Sequence, residues 1–427
     1  MPSEGGVPAG PSPDACPRIR QGVGDSRLPG GLGNYVAALV MDVILACIGI
    51  ALSLRGARDF HLGYPALAML FATGGIAAFG ACVLFSGLSD RLGRKPVILF
   101  TLSGVAVTSL LFAVATRAWH LYPIAAVNTS LMAIFWSSLE ARITDGADGR
   151  EMSRRLSTFG IFFCIGLMLG DPLGGFLSDI DSRTPFYVAA GATLAVALSL
   201  AAWFRFDGLH DGHRTGTDAA DDAEADEVLP DAATCRAFTL VAWISNGIAY
   251  AVTAVLVRLF PRFATLPLEE GGFAFSGGDA GLIGGTASLA MVCVFVVLGR
   301  LHFWHYKFRY LVVGQAVSIS GLLMYALGGE FGVFVLGAFL FGLGKGVTYI
   351  GSIYYSMHGS QASRAGQSGL HEGILCFGFA AGMIITAGAA AVLTSHRVPY
   401  WVCVILIGSG IAVEGAIMSR ARRRAKR

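Results

Sequence analysis

Twelve apolar runs of roughly 20 residues recur along this 427-residue chain, each long enough to cross about 30 Å of hydrocarbon as a helix. No water-soluble core holds so many. A soluble chain is about one quarter charged, whereas here 54% of residues are hydrophobic and 14% charged. In lipid the backbone must satisfy its own hydrogen bonds, so such runs become helices, and no period-two alternation suggests a barrel. The runs lie at about 34–54, 64–88, 96–115, 119–140, 156–178 and 184–205, then at about 237–259, 279–299, 308–328, 331–356, 368–394 and 398–418. The expected fold is an all-α integral membrane protein, with twelve transmembrane helices in two six-helix halves.

The stretches between the runs set the organisation. Residues 1–33 are rich in Pro and Gly and read as a disordered tail rather than a signal peptide. The halves are 34–206 and 236–419, with an acidic linker at 207–235 and a basic tail at 420–427. About 23 of the 31 Lys and Arg fall on the loops and tails that share a side with the C-terminus; this bias places both termini in the cytoplasm. The eight Cys are scattered without CxxC or metal spacing, so they read as packing residues and no metal or cofactor is expected. Nothing marks a nucleic-acid partner.

Between the second and third runs stands Ser86-Gly87-Leu88-Ser-Asp90-Arg91-Leu-Gly93-Arg94-Lys95. Gly87 and Gly93 allow a tight turn, and Asp90 is able to accept from the exposed amides of a helix N-terminus. The stretch resembles the loop between helices 2 and 3 of the major facilitator superfamily, with Ser86 where an opening glycine is usual. That resemblance implies a gate: Asp90 docks on the start of helix 11, near Gly366–His371, and Arg91 or Arg94 pairs with an acid ending helix 4, Glu140 or Asp145. The alternative is that the loop only fixes turn geometry and orientation.

Repetition supports duplicated halves. Cys164-Ile-Gly166-x-x-x-Gly170 in the fifth run has a counterpart in Cys376-Phe-Gly378-x-x-x-Gly382 in the eleventh. The fifth run continues as Asp171-Pro172-Leu-Gly174-Gly175, similar to a glycine and proline motif of proton-coupled antiporters in the same superfamily, although Pro172 stands one place late. Small residues there permit close helix packing, and Pro172 should free a carbonyl.

Ionisable groups at membrane depth are costly and usually functional. Asp42 and Lys345 lie at similar depths, and the resemblance, which puts them on helices that surround a central cavity, implies that they face one another across it, unless each pairs locally or snorkels. The resemblance puts helices 1, 4, 7 and 10 around a central cavity, which makes Asn128, Asn246 and Tyr349 further lining candidates. Asp171 and Glu372 are candidates for proton coupling; His371 and Glu372 are expected to open the eleventh helix, with Ser368 as its cap.

The resemblance implies a secondary transporter for a small organic solute, most simply a proton-coupled exporter working by alternating access as a monomer in the plasma membrane, the inner membrane of a bacterium. The alternatives are uptake of an organic anion drawn to Lys345, and a non-transporting membrane scaffold or sensor. An enzyme is not expected, since no nucleophile triad, H-E-x-x-H pair or phosphate loop is present.

Overall fold

The computed structural model describes residues 31–425, apart from 86, 145–148, 211–229, 302, 359–363 and 394. Twelve helices are long and apolar enough to cross a membrane. The first half comprises α1 (Leu32–Arg58), α2 (Tyr64–Phe85), α3 (Arg94–Val114), α4 (Ala118–Thr144), α5 (Gly149–Ile180) and α6 (Thr184–His210). The second comprises α7 (Ala232–Ala254, continued through Val255–Leu259 and Phe260–Thr265), α8 (Gly277–Leu298), α9 (Phe308–Leu327), α10 (Phe331–His358), α11 (Arg364–Val392) and α12 (Val398–Ala425). The loop 87–93 lies at the same end of the bundle as the start of α1 and the end of α12, called here the terminal end; the opposite end is the far end.

The expected spans are recovered, with differences at their edges. The second helix ends at Phe85 rather than 88, and Leu88–Leu92 forms a separate short turn of helix. Gly93 then turns the chain into α3 at φ +87, a backbone region that a side chain rarely tolerates. The eleventh helix begins at Arg364, which places His371 and Glu372 about two turns inside it rather than at its start, and Ser368 inside the helix rather than at a cap. The sequence signal was misleading because the polar first turn of α11 reads as loop.

Lipid gives helices no hydrophobic reason to associate, so close packing through small residues has to hold them. Gly166, Gly170 and Gly174 of α5 press on the backbone of α1 at Leu39, Val43 and Cys47. In the second half Gly378 and Gly382 of α11 press on α7 at the Gly247 and Ala251 carbonyls. Between the halves, Gly285 of α8 meets the Met168 carbonyl of α5, as Gly75 of α2 meets Ala380 of α11. One packing scheme is thus used twice. Pro172 explains part of it: lacking an N–H, it leaves the Met168 carbonyl without its helical donor, and a glycine approaches there.

Two departures from regular helix matter. Val255–Leu259 of α7 is a π turn, with the Phe260 amide bonding back to the Val255 carbonyl, and Pro261 follows it. Proline inside a regular helix collides with the carbonyl four residues earlier; the wider turn accommodates it. Pro172, by contrast, sits within a continuous α5.

Candidate functional site

A cavity of about 230 Å³ lies between the halves, walled by side chains from both. Its lining is mainly apolar and aromatic, with Phe71, Trp136, Phe163, Tyr250, Tyr349 and Phe379 among the rings. Five ionisable groups reach the wall: Glu140 from α4, Asp171 from α5, Arg258 from the π turn of α7, Lys345 from α10 and Glu372 from α11.

Asp171 is buried and faces Arg258, with Oδ1 3.7 Å from Nη1. At that distance the two attract without a hydrogen bond, and neither of these atoms has another partner among the described residues. Arg258 reaches this place because residue 49 of α1 is glycine; a Cβ there would lie within the guanidinium. The Arg258 carbonyl accepts from Ser53 Oγ at 2.6 Å. Lys345 is 5% exposed, and its Nζ stands over the Tyr250 ring, 4.7 Å from the centroid.

Further ties join the halves at the far end. Asp179 of α5 accepts from the Gly277 and Gly278 amides at 3.0 and 2.9 Å, so a carboxylate from one half caps α8 of the other. Arg58 holds that carboxylate at 3.0 Å. Arg262 Nε donates to the Leu62 carbonyl at 3.1 Å. Among the described residues, the ion pairs and nitrogen–oxygen hydrogen bonds crossing between the halves lie toward this end. Nearer the terminal end the cross-half contacts among the described residues include rings and thiols: Phe163 of α5 stacks on Tyr349 of α10 with centroids 5.8 Å apart, Phe79 of α2 meets Phe377 of α11 at 5.7 Å, and Cys82 of α2 hydrogen-bonds with Cys376 of α11.

The expected site residues are distributed as follows. Lys345 and Tyr349 line the cavity, as does Asn128, whose amide donates to Thr108 Oγ1 at 2.7 Å. Asp42 is fully buried but is not on the wall; it lies at the α1–α5 contact beside Gly166, with both carboxylate oxygens unpartnered among the described residues. No ion pair joins it to Lys345 among the described residues, because the cation is turned toward Tyr250. Asn246 is likewise buried away from the wall, with both amide atoms unpartnered among the described residues. Glu372 reaches the wall, and the adjacent His371 has Nδ1 3.3 Å from Ser352 Oγ.

In the loop, Gly87 precedes and Gly93 follows the short helical turn that bears Asp90 and Arg91. Asp90 pairs with Arg94 at 3.6 Å and is 44% exposed, while Lys95 Nζ stands over the Phe204 ring. Glu140 is a buried wall residue. Asp145 lies outside the described residues, as do most of the tail 1–33 and of the linker 207–235.

Sequence reasoning missed Arg258 and Asp179. For Arg258 the available signal was an Arg three residues before Pro261, where the helix had to be irregular. It also passed over Glu414 of α12, fully buried and bonded at 2.7 Å to Gln315 of α9, although an acid inside the last apolar run was visible.

Twelve membrane-length helices, repeated packing in two sixes and a cavity at their junction define an integral membrane protein of the duplicated-bundle class. The Major Facilitator Superfamily model matches residues 35–383, and the chain belongs to that family. It is similar to the class H tetracycline resistance protein of Pasteurella multocida, 33% identical over 169 residues, which is 37% of this chain and 41% of that protein. Multidrug resistance protein 1 of Bacillus subtilis (strain 168) is 26% identical over 167 residues, 38% of this chain and 43% of that protein. The chain thus spans less than half the length of these relatives. Among solved structures, nucleoside transporter NupG superposes with a TM-score of 0.62 at 15% identity, covering 91% of this chain and 98% of that one; the likeness is one of fold.

Proposed function

We propose that the chain is a secondary active transporter that exports a small organic solute in exchange for protons, with both termini cytoplasmic, as a monomer in a plasma membrane, the inner membrane if the cell is bacterial. The observation that carries this reading is the cavity between the halves, with ionisable groups from both on its wall and polar ties across its far end. Such a bundle has one end shut, and rocking the halves exchanges which end is shut. On this reading the terminal end is cytoplasmic and the structure is the state closed to the outside. Asp90, whose ion pair among the described residues is with Arg94 at the start of α3, docks on α11 when the cytoplasmic end closes. The tetracycline and multidrug resistance names of the relatives support export.

Asp171 is the proposed coupling acid, since it sits at the junction of the halves and its only cation partner within ion-pair reach among the described residues, Arg258, comes from the opposite half. A carboxylate whose surroundings differ between two access states binds its proton differently in each, which links proton movement to the cycle. Vesicles holding the purified protein test this with an imposed pH difference. Solute should accumulate against its gradient, and the Asp171→Asn variant should lose accumulation while keeping exchange. Equal solute movement with and without the pH difference excludes coupling, and absence of flux for all solutes favours a scaffold or sensor.

A further inference from the structure

The cation of Lys345 has no carboxylate within ion-pair distance among the described residues, although the side chain is almost wholly enclosed. Its Nζ faces the cavity across an aromatic ring. Arg258, also on the wall, meets its one acid at 3.7 Å, too far for a hydrogen bond, and its Nη1 is left without an acceptor. Burial without acceptors is costly for both groups. The charged groups within reach of Lys345 are Asp171, Arg258 and Asp42. Asp42 is held in the α1–α5 contact off the wall, so beside Lys345 and Arg258 an occupant meets the Asp171 carboxylate, with Glu140 and Glu372 elsewhere on the same wall. Glu140 and Glu372, the remaining acids on the wall, act on each other and on Asp42.

We propose that the cavity takes solutes bearing an oxyanion, a carboxylate above all, held between Lys345 and Arg258 with an aromatic or apolar body against Tyr250, Tyr349 and Phe163. This deepens the transport reading and rests on it. The carboxylate supplies acceptors to Lys345 Nζ and to the unpartnered Arg258 Nη1, and both bonds are charge-assisted. Drawing Arg258 toward the solute loosens its hold on Asp171, so recognition acts directly on a contact between the halves. Asp171 confines the site to one anionic group, since a second would meet its charge.

Three probes of one shape and different charge decide the matter: 2-naphthoate, 2-naphthalenemethanol and 2-naphthylmethylammonium, titrated into the full chain in lipid nanodiscs. The naphthoate should bind about tenfold or more tightly than the alcohol, the gain expected of hydrogen bonds to a charged group, and the ammonium more weakly than either. Lys345→Gln should bring naphthoate to the level of the alcohol, and Lys345→Arg should keep the preference. The ammonium or the alcohol binding as well as naphthoate overturns the proposal, as does the failure of all three to bind, or an unchanged naphthoate affinity in folded Lys345→Gln. Because the ranking is read on the unaltered protein, it stands even if the variants misfold. Proton-driven flux of the alcohol or the ammonium without naphthoate binding would keep the transport reading and remove this one; naphthoate binding without flux of any probe would do the opposite.

Discussion

Asp171 and Arg258 face each other at 3.7 Å across the junction of the two halves, one on α5 and the other on the π turn of α7. Each is the other's nearest compensation for burial. Such a pair contributes little against a well-packed apolar substitute, yet removing one member strands the other.

Arg258→Gln and Asp171→Asn should therefore each destabilise the described state by about 3–5 kcal/mol, while the double variant recovers most of that loss. Thermal unfolding in nanodiscs, arranged as a double-mutant cycle, reads the coupling. Strictly additive losses would show that the two groups act independently.

Gly49 is the recess that admits the Arg258 guanidinium. Gly49→Ala should expel that side chain and part the far ends of α1 and α7, seen as a longer distance between spin labels at exposed positions 61 and 269. Gly191→Ala is the matched control, since nothing lies within 4 Å of a Cβ there. An unchanged distance in Gly49→Ala would mean that Arg258 is not what holds the two helices together.

Asp179→Ala removes a helix cap delivered from the other half. Loss of such a cap costs about 1 kcal/mol, and here it falls on the contact between halves as well as on α8. Faster hydrogen exchange at the Gly277 and Gly278 amides and a widened far end are expected. Exchange that quickens without any widening would confine the residue to capping.

Asp231 caps α7 outside the membrane span, and the Thr234 hydroxyl, followed by the Thr234 and Ala233 amides, holds its carboxyl below the usual range. A depressed carboxyl stabilises the fold fully above its unfolded pKa and loses that contribution as pH falls through the folded one. The protection of the Ala233 and Thr234 amides against hydrogen exchange, taken relative to the unprotected rate at each pH, should accordingly persist through the ordinary carboxylate range and be lost only below it. Asp231→Ala should lack that protection at every pH, and a protein already unprotected at neutral pH would contradict the cap.

How far the sequence could be read follows from the range of the forces involved. Helix number and the doubled layout were legible, because hydrocarbon thickness acts on every run alike. The Gly166 and Gly170 spacing announced a packing face, and its repeat at Gly378 and Gly382 proved to do the same task in the other half. Lys345 stood out as a charge on an apolar helix and Tyr349 came from the resemblance; both lie on the cavity wall. Depth alone did not reveal which way Asp42 points: its side chain lies toward α5 rather than Lys345, and that depends on helix rotation, which no single run records. Arg258 depended on three distant partners at once, the Gly49 recess, the Ser53 hydroxyl and Asp171, so its role emerges only when α1, α5 and α7 are brought together.

The π turn of α7 has a consequence for how such a chain changes over generations. It holds one residue more than a regular turn requires, and each residue of an α-helix advances by about 100° around the axis. Deleting a single residue between Val255 and Leu259 would restore a regular turn and leave the segments on either side in register, since the wide turn absorbs its extra residue locally, while the side chains within the turn would be re-aimed and Arg258 or its replacement carried away from Gly49. A change of one codon, with every other helix untouched, is therefore enough to exchange a latch for an ordinary packing segment.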